Sequence, residues 1–233
     1  NAVMNRAVAY AGTAKAAVDI ACHDILGKAA GLPLYKLLGG LSNTIETDMT
    51  VGIDTPELMA AAAKEHVAAG FRVIKTKVGT NIADDIARVK AIREAVGDDV
   101  KIRLDANQGW HAREAVELLK RLNEYDIELV EQPVRRFDFE GLKYVTANSP
   151  VPVMADESCW DSKDALRLVS ERAVDFINIK LMKCGGLWEA KKIVNIAEAA
   201  GVEIMLGCMA EESGIAINAA AALGAALGNI TRA

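Results

Sequence analysis

An α/β fold built from repeated βα units is what this sequence predicts, on three observations. Short apolar runs begin roughly 25 residues apart along a chain of 233 residues. Helical patterns separate the runs. The runs are apolar throughout rather than cleanly alternating, as expected for strands covered on both faces. Such an alternation closes most readily into a TIM-type (β/α) barrel.

The elements follow in order. A helical segment opens the chain, runs to about Gly27 and ends in the turn GLPLYKLLGG. The first strand is expected over 47–53. Thr55-Pro56-Glu57 then opens a helix with an N-cap threonine, proline at the first helical position and an early acid, and Ala69-Gly70 closes it. Strands two to five fall at 71–78, 100–104, 127–130 and 151–154, and Asp161-Ser162-Lys163-Asp164 opens the helix after the fifth. The sixth and seventh fall at 174–179 and 202–206. After an Ala/Gly-rich helix over 215–227, Ile230-Thr231-Arg232-Ala233 reads as the first residues of an eighth strand. No linker or low-complexity tract interrupts this series. Residues 1–233 therefore read as one barrel domain, a fragment lacking a preceding segment and most of its last strand.

Composition narrows the function. With 52% apolar and 25% charged residues the chain is ordinarily globular, and a net charge of -5 with no basic face argues against nucleic acid or an anionic membrane surface as partner. The four cysteines, Cys22, Cys159, Cys184 and Cys208, lie far apart without a C-x-x-C pair, so neither a disulfide framework nor a zinc site is indicated. A cytoplasmic setting and a small-molecule substrate are the expectation, and a homo-oligomer is compatible with it.

Barrels of this kind carry their chemistry at the C-terminal ends of the strands. Lys75-Thr76-Lys77 stands there on strand two, Asp105-Ala106-Asn107 on strand three, Glu131-Gln132-Pro133 on strand four, Asp156-Glu157-Ser158 on strand five and Lys180 on strand six. Three carboxylates converging in one pocket resist ionising together without a counter-charge. A hard divalent cation supplies it, Mg²⁺ before Mn²⁺, because the candidates Asp105, Glu131 and Asp156 offer only oxygen. Asn107, Gln132 and Glu157 would orient those ligands or the lysines. Asn178, Cys208, Met209 and Glu211, at the ends of strands six and seven, are further candidates for substrate or supporting contacts.

The lysines fit the same picture. Lys75 and Lys77 are two apart on a strand and so share a face. Beside a metal and Lys75, Lys77 would have its neutral form favoured, as a general base requires, while Lys75 acts as perturber and electrophile. In a closed barrel, strands two and six lie on opposite sides, so Lys77 and Lys180 are expected to face each other. One would remove a proton from a carbon and the other return one to its opposite face.

The elements KxK, DAN, EQP, ADES and NIKLMKCGG, in that order, resemble the muconate-lactonizing-enzyme subgroup of the enolase superfamily, whose barrel has the (β/α)7β form. The resemblance starts at AKAAVDIACHDILGKAAGLPLYKLLGG, and GLKYVT, INIKLMKCGG and LGCMAEESGIA are most similar to dipeptide epimerases of the L-Ala-D/L-Glu type. It implies metal ligands at Asp105, Glu131 and Asp156, acid/base lysines at Lys77 and Lys180, and a dipeptide substrate activated at the carbon alpha to its carboxylate. Muconate cycloisomerase, o-succinylbenzoate synthase and N-acylamino-acid racemase share the same metal and lysines and are the alternatives within the fold. A non-catalytic carboxylate-binding barrel is the alternative of another class, and two opposed bases argue against it. The family's N-terminal capping domain is not recognised in this sequence, and Glu212 stands where a serine is expected.

Each of these residues also has a plainer reading. Strand-end lysines are usually solvated, and Asp-x-Asn is a common turn former. The ordered set, one element per strand, is what carries the chemistry. Lys183-Cys184-Gly185-Gly186 is read as a tight turn needing glycine rather than a phosphate cradle. Cys184 and Cys208 are read as packing thiols rather than nucleophiles. Trp110 and His111 either line the pocket rim or begin a surface helix.

Overall fold

The computed structural model describes residues 2–233. In chain order its elements are helices α1 (Ala2–Ala7), α2 (Gly12–Ala30) and α3 (Leu34–Leu38), strand β1 (Met49–Val51), α4 (Pro56–Ala68), β2 (Val73–Lys77), α5 (Ile82–Val96), β3 (Lys101–Asp105), α6 (Ala112–Leu122), β4 (Ile127–Glu131), α7 (Phe139–Asn148) and β5 (Val153–Ala155). There follow α8 (Ser162–Ser170), β6 (Phe176–Ile179), α9 (Leu181–Cys184), α10 (Leu187–Ala199), β7 (Glu203–Leu206), α11 (Gly214–Ala226) and β8 (Ile230–Arg232). The strands are ordered as they occur in the chain. This is the α/β fold with repeated βα units that the spacing predicts.

Two compact units make up the chain. The central unit comprises Thr47–Ser158 and Glu171–Phe176, and the terminal unit comprises Asn1–Glu46, Cys159–Ser170 and Ile177–Ala233. In the central unit β1 to β5 pair in succession, all parallel. Ile74, Ile102, Leu104, Leu129 and Met154 on these strands are fully buried with Leu118, Leu119 and Leu142 of α6 and α7. Each such side chain contributes about 2 kcal/mol by leaving water. In the terminal unit β7 pairs in parallel with β8, Ile204 opposite Ile230. Leu168, Ile177, Leu181, Leu187, Ile193 and Leu223 form its apolar interior.

Local signals set the helix ends. The Thr55 hydroxyl accepts from Leu58 N, and Pro56 occupies the first position of α4. Asp161 Oδ1 accepts from Lys163 N and Asp164 N at the start of α8. The expectation for α2 differs from the structure, because the helix passes Gly27 and ends at Ala30, with Gly31 as the left-handed cap at φ 65°. Gly27 has another purpose: a Cβ there would stand 3.1 Å from the Leu32 carbonyl, where the chain folds back. The expected KCGG turn is observed, with Gly185 and Gly186 at φ 86° and 115° and a Cβ at Gly186 overlapping Asp19. Among the described residues no helix is long and apolar enough to cross a membrane.

Candidate active site

Register builds the site in the central unit. Lys77 pairs with Asp105 across β2 and β3, and Asp105 pairs with Glu131 across β3 and β4. Three ionisable side chains thus stand in one row at the strand ends. Asp156 lies just beyond β5, two residues past Met154, the register partner of Glu131. Asp105 and Glu131 are 0% exposed and Asp156 2%, so all three carboxyl groups are withdrawn from bulk water.

The lysines hold these acids in different ways. Lys77 Nζ donates to Asp105 Oδ2 at 2.6 Å and to Asn107 Oδ1 at 2.7 Å, yet its side chain keeps 28% of its exposure and so remains open to solvent. Lys75 Nζ lies deeper, 3.3 Å from Glu131 Oε2 and 3.8 Å from Asp105 Oδ2. Burial alone would lower the Lys75 pKa. The attraction of Glu131, Asp105 and Asp48 outweighs it and holds the pKa above the ordinary lysine value. Lys75 is therefore a standing cation. Among the described residues no three His, Cys, Asp or Glu side chains stand in a cluster that could hold a metal as they are. The Lys75 ammonium bridges two of the three acids.

Polar side chains lock the loops that leave the strands. Gln132 Nε2 donates to Ser158 Oγ and the Val134 carbonyl, and its Oε1 accepts from Asp156 N and Ser158 N. It thereby joins the ends of β4 and β5. Glu157 Oε1 accepts from Asn107 Nδ2 and Gln108 Nε2, joining the ends of β3 and β5. Asn107, Gln108 and Gln132 adopt φ of 40°, 69° and 38°, left-handed backbone that stores strain in these loops.

Several central-unit residues of the site escaped sequence reasoning. Arg103 is buried, its Nε donating to Glu128 Oε2 at 2.6 Å and its NH1 to Asp48 Oδ2 at 2.9 Å. Burial raises the Asp48 carboxyl above its ordinary pKa in spite of Lys75 and Arg103. Arg103 precedes Asp105 by two, so the same-face rule applied to Lys75 and Lys77 was signal enough to place it beneath the site. Trp110 meets neither expectation held for it. It is 3% exposed, and its indole Nε1 donates to Asp85 Oδ2, so it lies under the loops rather than on a rim or a surface helix.

The remaining candidates belong to the terminal unit. Lys180 follows β6 at the N-cap of α9, its carbonyl accepting from Lys183 N and Cys184 N. Asn178 and Lys180 press on Gly207 at the end of β7, where a Cβ would stand 2.6 Å from Asn178 Oδ1 and 3.1 Å from Lys180 Cε. Cys208, Met209 and Glu211 lie on the exposed turn that follows, and Glu212 Oε2 accepts from Met209 N across it. Met209, Glu211 and Glu212 also line a broad groove with α2 and α11. Burial pushes the Cys159 and Cys184 thiols up to about 12, which leaves them protonated and unsuited to nucleophilic work.

Residues 58–233 match the family described as enolase C-terminal domain-like, and residues 1–39 match the mandelate racemase / muconate lactonizing enzyme N-terminal domain. The second match falls on α1 to α3, where the sequence suggested only the lead-in to the barrel. Hydrophobic dipeptide epimerase of Enterococcus faecalis is 61% identical over 231 residues, covering 99% of this chain and 65% of the relative. L-Ala-D/L-Glu epimerase of Clostridium acetobutylicum is 50% identical over 222 residues, covering 94% and 62%. The crystal structure of dipeptide epimerase from E. faecalis complexed with Mg and the dipeptide L-Leu-L-Tyr superposes with a TM-score of 0.98 at 60% identity, covering 99% of this chain and 65% of that one. The chain spans less than two thirds of the length of these relatives.

Proposed function

This chain belongs to the enolase C-terminal domain-like family, and from that premise we propose that residues 1–233 form the catalytic (β/α) barrel domain of an isomerase that epimerises dipeptides at the carbon alpha to a carboxylate. The observation that carries the reading is the row Lys77–Asp105–Glu131, a substrate-accessible amine held against buried oxygen donors. Similarity to a hydrophobic dipeptide epimerase, greater than to the L-Ala-D/L-Glu enzyme, favours apolar substrate side chains.

The donor set suits a hard divalent cation. Asp105, Glu131 and Asp156 offer only oxygen, are buried, and already accommodate positive charge from Lys75 beside two of them. These three would hold Mg²⁺, or Mn²⁺ in its place, and the ion would supply Lewis-acid stabilisation of negative charge developing on the substrate carboxylate. Lys75, cationic throughout, adds to that field without exchanging protons.

Proton transfer falls to two lysines. The neutral amine of Lys77 takes the alpha proton, so the C–H bond breaks and its electron pair passes into the adjoining carboxylate as an enolate. Lys180, in its ammonium form, returns a proton to the opposite face, and the reverse direction exchanges the roles. Asp105 and Asn107 aim Lys77 through the hydrogen bonds to its Nζ.

The test incubates the full-length protein with Mg²⁺ and apolar dipeptides such as L-Leu-L-Tyr in deuterated water, following the alpha proton by NMR. Deuterium incorporation with appearance of the second diastereomer is expected. Exchange of N-acylamino acids alone would move the assignment to a racemase of that class, and no exchange with any carboxylate would leave a binding barrel.

A further inference from the structure

Asp85, in the first turn of α5, is 0% exposed and takes no part in the chemistry proposed above. Its Oδ2 accepts from Gly79 N at 3.0 Å and from Trp110 Nε1 at 3.2 Å, and its Oδ1 accepts from Thr80 Oγ1 at 3.3 Å and Arg88 NH1 at 3.1 Å. Gly79 and Thr80 belong to the loop leaving β2, just after Lys77. Trp110 belongs to the loop leaving β3, just after Asn107. One carboxylate thus ties together the two loops that carry the amine and its acceptors.

The backbones of those loops are in direct contact. A Cβ on Gly109 would overlap the Gly79 carbonyl, and a Cβ on Gly79, at φ 103°, would overlap the Ala106 carbonyl. Val78 N donates to Asp105 O at 2.9 Å, carrying the β2–β3 ladder past the strand ends. Gln108 N and Trp110 N donate to Gln132 O and Pro133 O, so the second loop is itself braced on β4. Arg88 Nε reaches on to the Asp54 carbonyl in the loop leaving β1.

We propose that Asp85 and Trp110 form a clasp that positions Lys77, pressing the β2 loop onto the β3 loop so that Nζ stays on Asp105 and Asn107. Lysine has four rotatable side-chain bonds, and a displacement of about 1 Å at a reacting group costs on the order of 100-fold in rate. Asp85 and Trp110 are positioning residues, since neither touches the reacting atoms. The consequence for catalysis rests on the role given to Lys77 above. The geometric claim does not.

Two measurements keep these apart. Trp110→Phe removes one donor and keeps the ring, Asp85→Asn keeps the volume and removes the charge, and Gly109→Ala parts the loops from the backbone side. In the full-length protein, each variant is acetylated briefly with acetic anhydride and read by peptide mass spectrometry. Release of Lys77 from its acceptors is expected to raise its labelling several-fold relative to exposed Lys101, with Lys101 itself unchanged. Unchanged Lys77 labelling in all three variants would overturn the clasp. In deuterated water, exchange from the epimer that depends on Lys77 should fall at least tenfold, with exchange from the other epimer within twofold and KM little altered. Equal loss from both epimers would overturn the positioning role and leave a structural one. A parent protein that exchanges neither epimer, while the variants still expose Lys77, would overturn the functional reading and uphold the clasp.

Discussion

Lys77 Nζ lies 2.6 Å from Asp105 Oδ2, its register partner on the neighbouring strand. The pairing of β2 with β3 therefore brings an amine opposite a carboxylate. Lys77→Ala should abolish epimerisation, a loss of at least ~10³-fold, because turnover needs both a base and an acid. Lys180→Ala should do the same. NMR in deuterated water should show the two variants retaining alpha-proton exchange from opposite epimers. Continued racemisation in either would reduce that lysine to an electrostatic role.

Lys75 is the cation shared by two buried acids, 3.3 Å from Glu131 Oε2 and 3.8 Å from Asp105 Oδ2. Lys75→Met should destabilise the fold by about 3 kcal/mol without divalent cations, since removing one partner of a buried pair leaves uncompensated charge. Added Mg²⁺ should recover part of that loss by binding the native state. Urea melts with and without Mg²⁺ decide this, and a variant indifferent to both would contradict it.

Gly207 leaves room for Asn178 and Lys180. Gly207→Ala should displace the Lys180 side chain and lower exchange from its epimer at least tenfold while sparing the epimer served by Lys77, a displacement on the order of 1 Å being enough. Circular dichroism should remain that of the parent. Equal effects on both epimers would indicate a general disturbance instead.

His23 and Asp19 form a pair on α2, with His23 Nδ1 3.4 Å from Asp19 Oδ2. The hydrogen bond to Asp19 raises the His23 pKa above its ordinary 6.5, outweighing burial. Burial would raise the Asp19 carboxyl, but the bonds from His23 and from Trp188 N and Leu187 N at the start of α10 lower it. The His23 contribution is thus complete below pH 6.5 and is lost as pH rises through the raised value. The Asp19 contribution is present above the usual carboxylate range and is lost in acid. Thermal melts across pH should show stability falling from mildly acid to alkaline conditions, and His23→Gln should flatten that limb. An unchanged limb in the variant would remove the pair from the account.

The strand spacing, the helix openings at Thr55 and Asp161, the glycine turn at Gly185-Gly186 and the shared face of Lys75 and Lys77 were legible in the sequence. Each depends on residues within a turn or two of one another, so propensity, capping and period two suffice to state it. The end of α2 at Ala30 rather than near Gly27 is not legible in the sequence, because Gly27 and Gly31 lie close together. Only the return of the chain past Leu32 distinguishes the one that makes room from the one that caps.

What only the tertiary structure decided are the partners of buried charge. Asp48 meets Arg103, Lys75 bridges Asp105 and Glu131, and Trp110 reaches Asp85. These groups come from different strands and loops, and parallel register together with backbone contact at Gly79 and Gly109 selects which of them meet. Once water is excluded, a buried donor left without an acceptor costs free energy, so most find one within reach. The sequence determined the elements and the kinds of groups at their ends, because those depend on near neighbours. The pairing of those groups was left to tertiary structure, because burial makes it obligatory and only strand register makes it specific.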